Sequence, residues 1–475
     1  MDDFLGRDDE LQQLSRILQR VREGGRAGRP GRALLMRGRR RVGKSRLAEE
    51  FIEQARVPYL FFTASAQPSA DEDLRLFTEA AAGSTLPGAA IFQQQAPRSW
   101  DAALTLLANA LPADGPAVVV IDELPYLIAN DPGFEGTLQK LFDREFARRE
   151  VLLIGIGSDL AMMEALNEYG RPFHQRATEM VVAPLSPAAV GGILRLPAAE
   201  AFDAYLVSGG LPLILEEWPT GATVHEYLAD AVRDPTSALL VSAERSLAAE
   251  FPAEVQARQV LTAVGSGERT FSMIGRAAGG LAAGSLNRSL KILADKRIVS
   301  VAAPLSTRPA RESRYQVSDP HLRFWLRFLG PHLPEIERRR GDLVLDRIER
   351  DWTAWRGRAI EPVVREALLR LGPDVLPEGT GAVGGYWTRT NDVEIDLVAA
   401  DRAPVAGRVT AVGSIKWLER RPFDSHDLAE LMVHRSRLPG AESDTPLIAV
   451  TRSGCTAQEV RRVGPEELIA AWQAR

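Results

Sequence analysis

GRRRVGKS, residues 38–45, fits the pattern Gly, four residues, Gly, Lys, Ser or Thr, and decides how the first half of the chain is read. RALLMRG before it is the apolar run of a buried strand. SRLAEEFIEQA after it has helical spacing, with Leu47, Phe51 and Ile52 on one face. A strand, a glycine loop and a helix N-terminus make an anion cradle, because unpaired backbone N–H groups and the helix dipole face the phosphates. Gly38 and Gly43 allow turns that a Cβ would obstruct. Arg39, Arg40, Arg41, Val42 and Arg46 complete the expected cradle. Lys44 is placed to reach β- and γ-phosphates, and Ser45 to ligate Mg²⁺. Only five of the 58 basic residues are lysine, so a lysine kept at 44 points to a need for the compact ammonium.

AVVVIDELPYL, residues 117–127, supplies the second half of such a site. Its apolar run is a buried parallel strand that ends in Asp122–Glu123 at the edge where ligands bind. Asp122 is placed to hold Mg²⁺, and Glu123 to activate or orient the attacking water. VLLIGIGSDLAMME, 151–164, is another buried strand. Ser158 at its end either hydrogen-bonds the γ-phosphate or the attacking water, or caps the next helix. Arg171 and Arg176 follow; either Arg176 or its neighbour would stabilise charge on the γ-phosphate, with a surface role as the alternative.

The chain has 475 residues, enough for about three or four domains. An apolar fraction of 45% and a charged fraction of 25% are those of a soluble globular protein. One cysteine, Cys455, excludes an internal disulfide, and six scattered histidines give no zinc constellation. The acidic start MDDFLGRDDE is not expected to be a signal peptide. No run of 18 apolar residues appears, so neither a membrane span nor a membrane partner is expected. A cytoplasmic setting is the simplest expectation.

FLGRDDEL, GRRRVGKS, VVVIDELPYL, IGSDLAMME and GGLP, in this order, resemble the prokaryotic P-loop ATPase family best known from archaea, within the AAA-like and STAND-like group. The resemblance covers the first half of the chain. It implies an α/β fold: a P-loop NTPase core with a parallel sheet over 1–185, then a helical lid over 186–250. It further implies a winged helix over 251–330 and a restriction-endonuclease-like domain over 331–475. The ligands it implies are ATP and Mg²⁺.

The later segments fit that plan. Residues 251–330 carry twelve basic and five acidic residues in a chain whose net charge is −5, a local footprint for a polyanion. SLNRSLKILADKR, 285–297, is a helix with Leu286, Leu290 and Leu293 inward, leaving Asn287, Arg288 and Lys291 as a recognition helix would present them. Two strands joined by an Arg/Pro-rich loop with Arg308 and Arg311 follow as the wing. Beyond 331, GRAIEPVVREALLRL is a helix carrying Glu361, followed by strands GAVGGYW, VEIDLVAA and VTAVGSIKW, the helix DLAELMVHRSRL and the strand PLIAV. This order resembles the endonuclease core. There Asp396 takes the place of the first acid and Lys416 that of the lysine. Ser414 stands where a second acid belongs, which removes a hard anionic ligand. Glu361 or Glu394 are the candidate substitutes, and a degenerate, binding-only site is expected.

The sequence thus supports a Mg²⁺-dependent, slow switch-type ATPase coupled to duplex DNA through a winged helix. An ATP-gated nuclease and a signalling scaffold with protein partners only are the competing readings, and a protein partner or self-association is an expectation beside DNA.

Overall fold

Continuous apolar strands need cover on both faces, and in the first half of the chain amphipathic helices supply it. A computed structural model describes every residue except 1–3, 5, 25–27, 66–69, 159, 251–254, 311 and 474–475. The chain divides into two compact units, Met1–Pro184 and Leu185–Arg475.

In the first unit, five strands form one sheet: β1 (Arg32–Arg37), β2 (Tyr59–Thr63), β3 (Ala117–Asp122), β4 (Val151–Gly157) and β5 (Ala177–Val181). Their order is β2-β3-β4-β1-β5 and every pairing is parallel. All residues of β3 and β4 are buried, as their unbroken apolar runs require. One face is closed by helices Ala70–Ala82, Trp100–Ala110 and Phe134–Arg144. Their aromatic side chains interlock edge to face, Phe77 with Trp100 at 5.3 Å and Trp100 with Phe134 at 4.8 Å between ring centres. This α/β fold with a central parallel sheet is that of P-loop NTPases, and it sets the tips of β1, β3 and β4 side by side.

The second unit begins with helices, including Ala198–Ser208 and Pro212–Glu216, separated by the GGLP break. Gly209 and Gly210 both take positive φ there, at 63° and 67°. Three helices, Val255–Gly265, Phe271–Ala277 and Ala283–Asp295, precede an antiparallel hairpin of β6 (Val299–Ala302) and β7 (Arg314–Val317). The loop of that hairpin is held by the last part of the chain. Leu305 N donates to Gly385 O at 2.8 Å, Thr307 N to Pro439 O at 3.3 Å, and Leu305 is buried in the C-terminal core.

The last sheet contains β8 (Ala382–Trp387), β9 (Glu394–Ala400), β10 (Val409–Lys416), β11 (Leu447–Thr451) and β12 (Arg461–Val463), in the order β12-β11-β10-β9-β8. Pairs β8/β9 and β9/β10 are antiparallel; β10/β11 and β11/β12 are parallel. The segment expected as one helix around Glu361 is broken. Helix Gly341–Ala359 stops and helix Glu361–Leu371 starts with Pro362 in its first turn. Proline has no N–H to donate and its ring meets the carbonyl four residues back, so the chain turns at Ile360.

The segments 186–250, 251–330 and 331–475 share this one unit, and the packing explains why. Phe202 and Leu206 of helix Ala198–Ser208 lie in the same core cluster as Ile360, Leu397, Trp417 and Val450. At its rim, Asp203 accepts hydrogen bonds from Arg356, Arg452 and Trp417.

Candidate nucleotide site

Two deviations from ordinary backbone shape the loop after β1. Gly43 at φ 87° starts helix Lys44–Ala55, and Arg41 is left-handed at φ 66°. Gly38 is required by close approach: a Cβ there would lie 2.3 Å from Val182 O. Both glycines stand in this loop, and for Gly38 it is the crowding that forbids a side chain.

Lys44 is buried over the loop. Its Nζ donates to Gly38 O and Arg39 O, each at 2.9 Å, and to Ser158 Oγ at 3.0 Å. Burial pushes the ammonium down to about 8, against the pull of Glu123 and Asp122, with Arg40 adding to the fall. Ser158 Oγ in turn donates to Glu123 Oε1 at 3.2 Å. Of the two roles left open for Ser158, the geometry sets its hydroxyl between the lysine and the acid. Glu123 itself sits at φ 54°, a left-handed conformation that is costly for a side-chain-bearing residue and that turns it off the tip of β3.

Ser45 Oγ donates to Asp122 Oδ2 at 2.6 Å, while Asp122 Oδ1 accepts from Glu123 N at 2.9 Å. Two hard oxygens side by side, one of them a buried carboxylate, suit Mg²⁺, which binds through one or two protein oxygens and substrate phosphates.

Arg176 is engaged elsewhere. Its Nε donates to Asp143 Oδ1 at 3.0 Å and its Nη1 to Pro172 O at 2.9 Å, so it braces its own loop. Arg171 pairs with Glu135 at 2.6 Å. Burial raises the Glu135 carboxyl above its ordinary range, and Arg171 opposes that rise. A further residue, without a role in the motif reading, also reaches the loop. Arg7, 4% exposed, donates to Val42 O at 2.8 Å. It lies in the quoted stretch FLGRDDEL, so its motif position was the available signal.

In the second unit, Asn287, Arg288, Lys291 and Arg308 are exposed; Arg311 lies outside the described residues. Among the described residues, several basic side chains of 251–330 are engaged by acids and carbonyls of the same unit. Arg314 donates to Glu394 Oε1 at 2.6 Å and to Asn391 Oδ1 at 2.7 Å, and lies over the Trp387 ring. Arg269 pairs with Glu394 at 3.5 Å, Arg327 pairs with Asp351 at 2.7 Å, and Arg323 donates to Val317 O at 2.7 Å. The polyanion footprint read from composition is therefore smaller on the surface than in the count.

The endonuclease-like positions come together but are engaged with one another. Asp396 Oδ2 accepts from Ser414 Oγ at 3.1 Å and from Ile415 N at 3.0 Å. Lys416 Nζ lies 3.3 Å from Asp427 Oδ1, a buried carboxylate that also takes Arg421 at 2.7 Å. Glu361 is held by Arg365 at 2.8 Å, and burial raises its carboxyl. Glu394 is held by Arg314 and Arg269. Among the described residues no group of three or more His, Cys, Asp or Glu could hold a metal ion. Among the described residues no helix is long and apolar enough to cross a membrane.

Residues 325–427 match a family described as archaea bacterial proteins of unknown function; they run from Trp325 to Asp427 and include Glu361, Glu394, Asp396, Ser414 and Lys416. An uncharacterised protein of Methanocaldococcus jannaschii is 23% identical over 463 residues, covering 96% of this chain and 97% of the relative. Similar solved structures include a Walker-type ATPase of Pyrococcus abyssi at 19% identity and TM-score 0.48, covering 69% of this chain and 97% of that one. The ORC2 protein of Aeropyrum pernix, in ADPNP–ADP complexes, is 13% identical with TM-score 0.43, covering 74% and 98%. The first unit, with its all-parallel five-stranded sheet and its glycine loop between β1 and helix Lys44–Ala55, has the P-loop NTPase fold, and residues 325–427 carry the matched segment of unknown function.

Proposed function

We propose that the chain is a Mg²⁺-dependent ATPase that turns over slowly and acts as a switch, with its winged helix engaging duplex DNA. The observation that carries this reading is the connected set Lys44–Ser158–Glu123 beside Ser45–Asp122. The P-loop backbone from Gly38 to Arg46 would cradle the phosphates, and Lys44 would leave the carbonyls of Gly38 and Arg39 for phosphate oxygens. Ser45 and Asp122 would hold Mg²⁺, which offsets charge between the β- and γ-phosphates. Glu123, steered by Ser158, would orient the attacking water.

The exposed face of helix Ala283–Asp295, with Asn287, Arg288 and Lys291, supports DNA contact, and exposed Arg308 in the wing adds to it. The C-terminal sheet favours a binding role over a cutting one. Each carboxylate near Asp396 that would complete a metal site, Glu361 and Glu394, already has an arginine, and Lys416 has Asp427. The test is ATP turnover by the full chain with and without duplex DNA. The expected result is slow Mg²⁺-dependent turnover that changes when DNA is added. Turnover indifferent to DNA at low salt would leave a nucleotide switch that answers to a protein partner.

A further inference from the structure

The connector Val182–Leu185 carries the chain out of the first unit, and it is held by hydrogen bonds at both ends. At its start Val182 N donates to Arg37 O at 2.8 Å, and Val182 O is the atom that excludes a side chain at Gly38. Ala183 O accepts from Arg7 Nη2 at 2.7 Å, the same nitrogen that donates to Val42 O in the phosphate loop at 2.8 Å. Arg7 Nη1 is fixed by Glu10 at 2.7 Å. At the other end Leu185 N donates to Gly210 O at 2.9 Å, and a Cβ on Gly210 would lie 2.0 Å from Leu185 O. Pro184 between them has its φ locked by its ring.

We infer that Arg7 is a positioning residue that couples the phosphate loop to this connector, with the GGLP turn as the receiving grip. The inference rests on the nucleotide reading above and adds the route by which occupancy is passed on. Arg7 is buried, and one nitrogen serves two carbonyls, so Val42 and Ala183 cannot both move away without leaving a buried N–H donor unsatisfied, even though Glu10 keeps the charge paired. When Lys44 exchanges the carbonyls of Gly38 and Arg39 for phosphate oxygens, the loop changes its internal hydrogen bonds. Val42 O is the point at which that change reaches Arg7, and Ala183 O is where Arg7 passes it to the connector. The stiff Ala183–Pro184–Leu185 segment then delivers it to Gly210. A ligand shifts such an equilibrium only by as much as it distinguishes the two loop states, so the coupling is measurable as a change that depends on ATP.

The test uses hydrogen–deuterium exchange of the full chain, reading the amides of Val182, Ala183 and Leu185 with and without saturating ATP and Mg²⁺. The expected result is that ATP slows exchange at Val182 and Leu185 about fivefold or more in the wild type. In Arg7→Ala, ATP affinity falls by about tenfold for the lost charge-assisted bonds. At saturating ATP the slowing at Leu185 disappears; Arg7→Lys restores part of it. A merely structural role for Arg7 would lower affinity and leave the slowing at saturation intact. Pro184→Gly, which touches no loop contact, should bind ATP as the wild type does, keep the slowing at Val182 and lose it at Leu185. Persistence of ATP-dependent slowing at Leu185 in either Arg7→Ala or Pro184→Gly would overturn the inference. ATP binding to the wild type without any slowing at 182–185 would overturn it too, while leaving the nucleotide site standing. Absence of ATP binding in the wild type would remove both.

Discussion

Asp203→Ala should destabilise the second unit more than most substitutions in the chain. Asp203 is 4% exposed and accepts from three groups: Arg356 Nη1 at 2.8 Å, Arg452 Nη2 at 2.8 Å and Trp417 Nε1 at 3.3 Å. Arg356 has no exposed surface at all, and the Nε atoms of Arg356 and Arg452 have no partner even in the intact network. Removing the carboxylate leaves two guanidinium groups short of their shared anion. Breaking a buried pair in this way costs about 3–5 kcal/mol. Glu419, which also takes Arg356 Nη1 at 2.8 Å but is half exposed, offsets part of the loss, so about 3 kcal/mol is expected. The assay is equilibrium unfolding in urea, followed by probes in each unit because two units need not unfold as one. The second-unit transition should move and the first-unit transition should not. A loss below about 1 kcal/mol would refute the reasoning, since it would mean that solvent or Glu419 serves the arginines without Asp203. Replacing Asp203, Arg356 and Arg452 together by apolar residues of similar volume should cost much less than Asp203→Ala alone, because the cost lies in the uncompensated charge.

The DNA reading separates two kinds of arginine. Arg288→Ala or Lys291→Ala should flatten the slope of log binding constant against log salt by about one, whereas Arg314→Ala should leave the slope unchanged and lower stability; equal slopes for all three would contradict the assignment. Wild type should show no Mg²⁺- or Mn²⁺-dependent plasmid nicking, and Ser414→Glu should raise any trace of it; robust nicking by wild type that vanishes in Asp396→Ala would overturn the binding-only reading. Burial raises Glu361 above its ordinary 4.5, so the neutral acid is favoured in the folded chain. That contribution is fully present below 4.5 and is lost as pH rises through the folded value. Glu361→Gln should therefore gain stability relative to wild type as pH rises from 5 to roughly 7, and urea unfolding of the pair across that range would refute this by showing the opposite trend.

The parts of the fold legible in the sequence are those fixed by contiguous residues. RALLMRGRRRVGKS and VVVIDE each state a strand, a turn and a chemical group within about fifteen residues, so Lys44, Ser45, Asp122 and Glu123 could be placed together from pattern alone. Helix Ala283–Asp295 was legible for the same reason: Leu286, Leu290 and Leu293 recur at helical spacing and are buried. What the pattern could not give is set by partners distant in the chain. Arg7 meets Val42 and Ala183, which are 35 and 176 residues away. Arg314 counts as surface charge until Glu394, 80 residues on, takes it inward. The expected lid helix holds Phe202 and Asp203, whose partners Trp417 and Arg452 lie in the last third of the chain. No periodicity records such pairings, and charge counts misjudge them because a buried ion pair and two exposed ions have the same composition.

The central claim is that Lys44 and Glu123 serve one nucleotide in separable roles, and titration of a fluorescent ATP analogue alongside phosphate release tests it most directly. Lys44→Ala should abolish binding, and Glu123→Gln should bind ATP as tightly as wild type with Mg²⁺ present yet release no phosphate. Wild-type turnover by Glu123→Gln, or full ATP affinity in Lys44→Ala, would contradict the account.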